Sequence, residues 1–142
     1  MSEDRADSVA FRQFADELLA SGIAFRFQAR GRSMFPAIKD GEILQVEPVS
    51  VAGLKRGDIV LFRKGTEFKA HRIIRRSAGM FITRGDTGIT EDAEVNADDV
   101  LGKVVAKECS ETGKLILLAG AGPRFRFVVR ELRRSLAEAL RR

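Results

Sequence analysis

Between Ile43 and Leu118 no apolar run is longer than a strand, and nearly every run is closed by a glycine or a proline. That punctuation restricts this stretch to short strands joined by tight turns. Ile43-Leu44-Gln45-Val46 stops before Pro48. Lys55-Arg56-Gly57-Asp58 turns into the continuous apolar run Ile59-Val60-Leu61-Phe62, which predicts a buried strand, and Lys64-Gly65-Thr66 turns out of it. Phe68 to Arg75 returns, Ser77-Ala78-Gly79 turns again, and Met80 to Thr83 is a further strand. Residues 85–96 form a polar loop; Val100 to Lys107 and Lys114 to Leu118 flank a turn at Thr112-Gly113. Upstream, Ile23 to Ala29 alternates apolar and polar residues with the period of a strand.

Only the two ends carry helical periodicity. Val9, Phe11, Phe14, Ala15, Leu18 and Leu19 predict a helix over 7–20, stopped by Ser21-Gly22. Beyond a hinge at Ala119-Gly120-Ala121-Gly122-Pro123, the residues Phe125, Val129, Leu132 and Leu136 mark one face of a basic amphipathic helix. The expected organisation is one mainly β domain with an N-terminal helix over residues 1–122, followed by a C-terminal helix over 123–142. A chain of 142 residues with 44% hydrophobic residues suits one domain with its own core.

The net charge of +5 is compatible with nucleic acid, an anionic membrane or a solvated face. No nucleic-acid motif accompanies it and tryptophan and tyrosine are absent, so nucleic acid is not an expected partner. One cysteine, Cys109, excludes an internal disulfide, and a single histidine with a single cysteine cannot build a closed metal site. No cofactor or metal is expected. No stretch approaches the roughly 20 apolar residues of a spanning helix, and the acidic, polar start does not resemble a secretory signal. The expectation is a soluble, cytoplasmic protein.

Three residues stand out chemically. Ser33 lies in Gly31-Arg32-Ser33-Met34-Phe35-Pro36, just after a strand is broken by glycine. Pro36 fixes its own φ and restrains Phe35, so the turn around the hydroxyl can be rigid. His71, the sole histidine, sits in the strand Phe68 to Arg75, on the face shared with Lys69 and Ile73. An imidazole is the usual base for a serine hydroxyl, and a desolvated lysine such as Lys69 is the alternative. Asp86 and Asp92 both lie in the polar loop, and either could orient the imidazole. Taken singly, each has an ordinary structural reading: a turn serine, a half-buried histidine, a solvent-facing lysine, two loop acids.

In order, Gly31-Arg32-Ser33-Met34-Phe35-Pro36 with Asp40-Gly41, Leu54-Lys55-Arg56-Gly57-Asp58-Ile59-Val60-Leu61-Phe62, His71-Arg72-Ile73, Thr83-Arg84-Gly85-Asp86 and Val100-Leu101-Gly102-Lys103-Val104-Val105 resemble the signal peptidase I and LexA-like superfamily of serine peptidases. The five blocks cover residues 25–107. The histidine where other branches carry lysine resembles the Ser-His branch of signal peptidases. The resemblance implies a coiled β-sheet domain, Ser33 as nucleophile, His71 as general base, Asp92 as the acid of the triad and Asp86 as its close support. It also implies an extended peptide bound as an added strand beside Met34, Phe35 and Pro36, with small residues before the cut.

Three departures qualify this. The branch is membrane-anchored and this sequence shows no anchor. Gly31 stands where a serine often helps bind the oxyanion. The second Gly-Asp turn reads Gly41-Glu42. Self-cleavage of the repressor type is not expected, because no Ala-Gly or Cys-Gly pair precedes Ser33 and too little chain precedes it for a helix-turn-helix domain. The expected activity is that of a soluble serine endopeptidase acting on a leader-like peptide. A binding module that keeps the fold without useful turnover, or a Ser-Lys peptidase using Lys69, is the alternative. The C-terminal helix can pack on the domain, pair with a second copy, or lie on anionic lipid as a peripheral membrane contact.

Overall fold

The computed structural model describes Ala10, Gln13, Phe14, Asp16, Glu17 and residues 21–65 and 67–118. The C-terminal helix and its hinge lie outside the described residues, as does the helix over 7–20 apart from those five positions. Among the described residues no helix is long and apolar enough to cross a membrane.

Among the described residues, eight strands build one antiparallel sheet: β1 (Phe25–Gln28), β2 (Ile43–Glu47), β3 (Ile59–Lys64), β4 (Glu67–Ser77), β5 (Met80–Arg84), β6 (Val95–Asn96), β7 (Val100–Glu108) and β8 (Leu115–Leu117). Their order is β1-β2-β7-β3-β4-β5-β6, with β8 pairing β7. The mainly β architecture agrees with the pattern of short runs and turns. Strand β4 is longer than its apolar run because Arg76 and Ser77 continue the pairing with β5, after a register shift between Ile73 and Arg75. Strand β6 lies within the region expected to be loop. Val95 is buried there and pairs with Phe81, so a single apolar side chain recruits a two-residue strand.

Strand β3 is central and buried on both faces, which is why its sequence is continuously apolar. Ile59 and Leu61 point into a cluster with Leu44, Val46, Val104, Met34 and Ile38. Val60 and Phe62 point the other way, against Ile73, Phe81, Val95 and Val100. The sheet coils enough to bring its first strand opposite its fifth in spatial order: the rings of Phe27 on β1 and Phe68 on β4 meet edge-to-face with centroids 6.3 Å apart. Along this gap neither β1 nor residues 67–71 of β4 pair with a strand on their facing edges. The gap is a groove of about 900 Å³.

Two turns are locked by the same device. In residues 39–42 the Glu42 carboxylate accepts the Lys39 N–H at 2.6 Å, and in residues 55–58 the Asp58 carboxylate accepts the Lys55 N–H at 2.8 Å. Each acid then meets a lysine of β7: Glu42 with Lys107 at 3.0 Å, Asp58 with Lys103 at 3.4 Å. Glu42 is 1% exposed and also accepts the Ser110 N–H at 3.1 Å. Burial alone would raise its carboxyl, but the bonds from Lys39, Lys107 and Ser110 outweigh that and hold it below its usual 4.5.

Replacing Glu42 by alanine strands the buried Lys107 ammonium and should cost on the order of 3 kcal/mol or more in urea unfolding. Because the folded carboxyl is depressed, its contribution is complete above its usual value of 4.5 and is lost as pH falls through the lowered folded value. The stability gap between the wild type and Glu42→Gln should therefore narrow on acidification below that point.

Candidate active site

The loop between β1 and β2 carries Ser33 and is closed at its base by backbone bonds: Ala29 N–H to Glu42 O and Gly41 N–H to Ala29 O, both 2.8 Å. Inside it, Gly31 sits at φ 86°, a conformation that suits a residue without a side chain, and its N–H donates to Asp40 Oδ1 at 2.7 Å. Met34 is buried in the core beneath the turn, while Phe35 is half exposed and the Phe35–Pro36 peptide is cis. The turn is therefore pinned from below and presents Ser33 at the surface. The Ser33 N–H has no hydrogen-bond partner among the described residues.

The face of β4 that carries Lys69 and Ile73 brings His71 to this turn. His71 Nε2 lies 3.1 Å from Ser33 Oγ, and Nδ1 lies 2.5 Å from Asp92 Oδ2. The carboxylate takes the Nδ1–H, which leaves Nε2 as the acceptor for the serine hydroxyl. The imidazole is 7% exposed and packs edge-on to Phe62 at 6.0 Å. Asp92 Oδ2 also accepts the Thr83 hydroxyl at 2.8 Å, and the Asp92 N–H donates to Thr83 O at the same distance. Thr83 is fully buried, so this pair of bonds fixes where the loop returns and which acid faces the imidazole.

Asp86 occupies a different place. It grips Arg72 through two oxygens, at 2.8 and 2.9 Å, and the same guanidinium donates to Gly57 O at 2.8 Å. The pair raises the already high pKa of Arg72. Asp86 thus ties the loop to the middle of β4 and to the turn before β3, and its contacts do not reach the imidazole. Lys69 lines the groove two residues before His71, with no hydrogen bond to Ser33. Met34 lines the same groove.

Three residues of the site have no signal in the sequence that singles them out. Thr83 ends an apolar strand and looks like any strand threonine. Gly85 lets the loop cross directly beneath the serine turn: a Cβ there would lie 2.7 Å from Ser33 O and 3.3 Å from His71 Nε2. Thr87 donates its N–H to Ser33 O at 3.1 Å and its hydroxyl to the same oxygen at 3.2 Å. The loop of 85–92 is therefore the second wall of the site, built on contacts between residues far apart in the chain.

Chemically, a hydroxyl bonded to an imidazole whose other nitrogen is held by a partly buried carboxylate can be deprotonated as it attacks an acyl carbon. No curated protein matches the chain. The family model described as Peptidase S24-like matches residues 3–105, which contain the sheet through most of β7 as well as Ser33, His71 and Asp92. The chain belongs to the Peptidase S24-like family.

Proposed function

We propose that the protein is a serine endopeptidase of the signal peptidase type. The carrying observation is the unbroken hydrogen-bond chain from Ser33 through His71 to Asp92. Ser33 Oγ attacks the peptide carbonyl carbon while its proton passes to His71 Nε2. Asp92 holds the imidazole in the tautomer that accepts this proton and stabilises the imidazolium that results. The tetrahedral oxyanion is met by the unpartnered Ser33 N–H. His71 then gives its proton to the leaving amine, an acyl-serine remains, and water activated by the same imidazole releases it.

The substrate is an extended peptide with small residues before the cut. It enters the groove between β1 and β4 and pairs with the exposed strand edge. Gly31 contributes no side-chain donor to the oxyanion, so fewer donors stabilise the transition state than in members with a hydroxyl there. One donor is worth roughly 10²–10³ in rate, which makes slow turnover the expected behaviour.

On a peptide with alanines flanking the bond, Ser33→Ala and His71→Ala should each lower kcat by about 10³–10⁴, with Asp92→Asn close behind. Asp86→Asn should lower stability and leave kcat within about tenfold of the wild type. If Asp86→Asn proves as damaging to kcat as Asp92→Asn in folded protein, the assignment of Asp92 is wrong. Gly85→Ala should reduce kcat on the order of 10²-fold with its circular dichroism unchanged, because the added methyl displaces the Ser33 turn rather than the sheet.

A further inference from the structure

Several cations of the described residues have an acid beside them. Arg26 pairs with Glu108, Arg72 with Asp86, Arg75 with Glu91, and the β7 lysines with Glu42 and Asp58. Arg30, Arg32 and Lys69 are among those without one, and their position sets them apart. None of their side chains has an ion-pair or hydrogen-bond partner among the described residues, and all three adjoin the reactive pair: Arg30 and Arg32 in the loop that carries Ser33, Lys69 two residues before His71. Arg30 and Lys69 line the groove itself, from opposite walls. The acid of the groove, Glu67, starts β4 at the end away from His71. The groove is thus positive next to Ser33, while further along Arg26 and Glu67 both line it.

A peptide lying in this groove advances about 3.3 Å per residue, as β4 does. Lys69, two residues along β4 from His71, therefore stands level with a substrate residue about two positions from the scissile bond. Unpaired cations on both walls of a concave surface reinforce each other's field.

We propose that this groove selects peptides carrying an aspartate or glutamate within about two residues of the scissile bond, its carboxylate held between Lys69 and Arg30. This substrate class rests on the peptidase reading above and narrows it. Lys69 is assigned to recognition rather than to proton transfer.

The test uses the full chain and dodecapeptides that differ only in having Asp, Asn or Lys at each of the three positions on either side of an Ala-Ala bond. At low salt the wild type should favour Asp over Lys at one of these positions by about fivefold to twentyfold in kcat/KM. The preference should shrink at 0.5 M salt, where screening is strong. Lys69→Glu and Arg30→Glu should each move the ratio toward Lys, and the double variant should invert it.

Equal cleavage of all three peptides by the wild type overturns the inference and leaves the peptidase reading standing. So does an Asp preference that neither variant moves. If none of the peptides is cleaved, the peptidase reading fails. Anisotropy with fluorescein-labelled copies then decides the inference separately: tighter binding of the Asp peptide, abolished by Lys69→Glu, upholds the acidic groove, and equal binding of Asp and Lys peptides ends it.

Discussion

The buried carboxylate of Glu42 is the interaction on which the site's geometry rests. The loop that carries Ser33 leaves β1 at Ala29 and rejoins the sheet at Glu42, and the two residues are joined by a backbone hydrogen bond of 2.8 Å. Glu42 then fixes that junction to two other parts of the chain, through the Lys39 N–H within the loop and through Lys107 and the Ser110 N–H at the end of β7. A fully desolvated carboxylate is costly unless every lone pair is used, and here the donors outweigh the burial. The consequence is geometric more than energetic: a nucleophile must be held to within a fraction of an ångström, and a surface loop of this length would not otherwise hold it.

The second constraint comes from the other side. Thr83 and Arg72 divide the loop after β5 between them. Thr83 binds Asp92 through both its hydroxyl and its carbonyl, so the acid returns to the imidazole. Arg72 takes Asp86 in a two-point grip and holds it away from the imidazole. Two aspartates six positions apart are thereby given unlike tasks by residues that neighbour each other across β4 and β5, where Arg72 pairs with Arg84 and Ile73 with Thr83. Thr87, between the two acids, closes the arrangement by binding the Ser33 carbonyl.

These contacts explain what was legible in the sequence. The strands were legible because a central strand buried on both faces must read as Ile-Val-Leu-Phe, and because glycine marks where each run ends. Ser33 and His71 were legible because a hydroxyl beside a strand break and a sole histidine are conspicuous by type. The choice between Asp86 and Asp92 was legible only through the family resemblance, since both are loop acids and what separates them is the partner each meets in space. The roles of Thr83 and Gly85, though both stand in one of the five blocks, and of Thr87 were invisible for the same reason. Their roles depend on a loop folding back on the Ser33 turn, and no local pattern encodes that. The short β6 escaped notice because one apolar residue, Val95, has no periodicity.

The same distinction organises the charges. The deeply buried acid, Glu42, is paired across strands, and what it contributes is position. The cations beside the reactive serine are left without acids, although pairing them would have reduced their mutual repulsion. A groove that keeps unpaired positive charge on both walls carries an electrostatic cost in its empty state that a suitably charged occupant relieves. Occupancy and charge are therefore coupled: an anionic side chain gains from the groove's field, while a cationic one adds to the repulsion already present there. On this argument, discrimination arises at the same place as chemistry, because Arg32 adjoins the nucleophile and Lys69 shares a strand face with the base. On the proposed function, a single loop and a single strand set both what is cut and what is admitted.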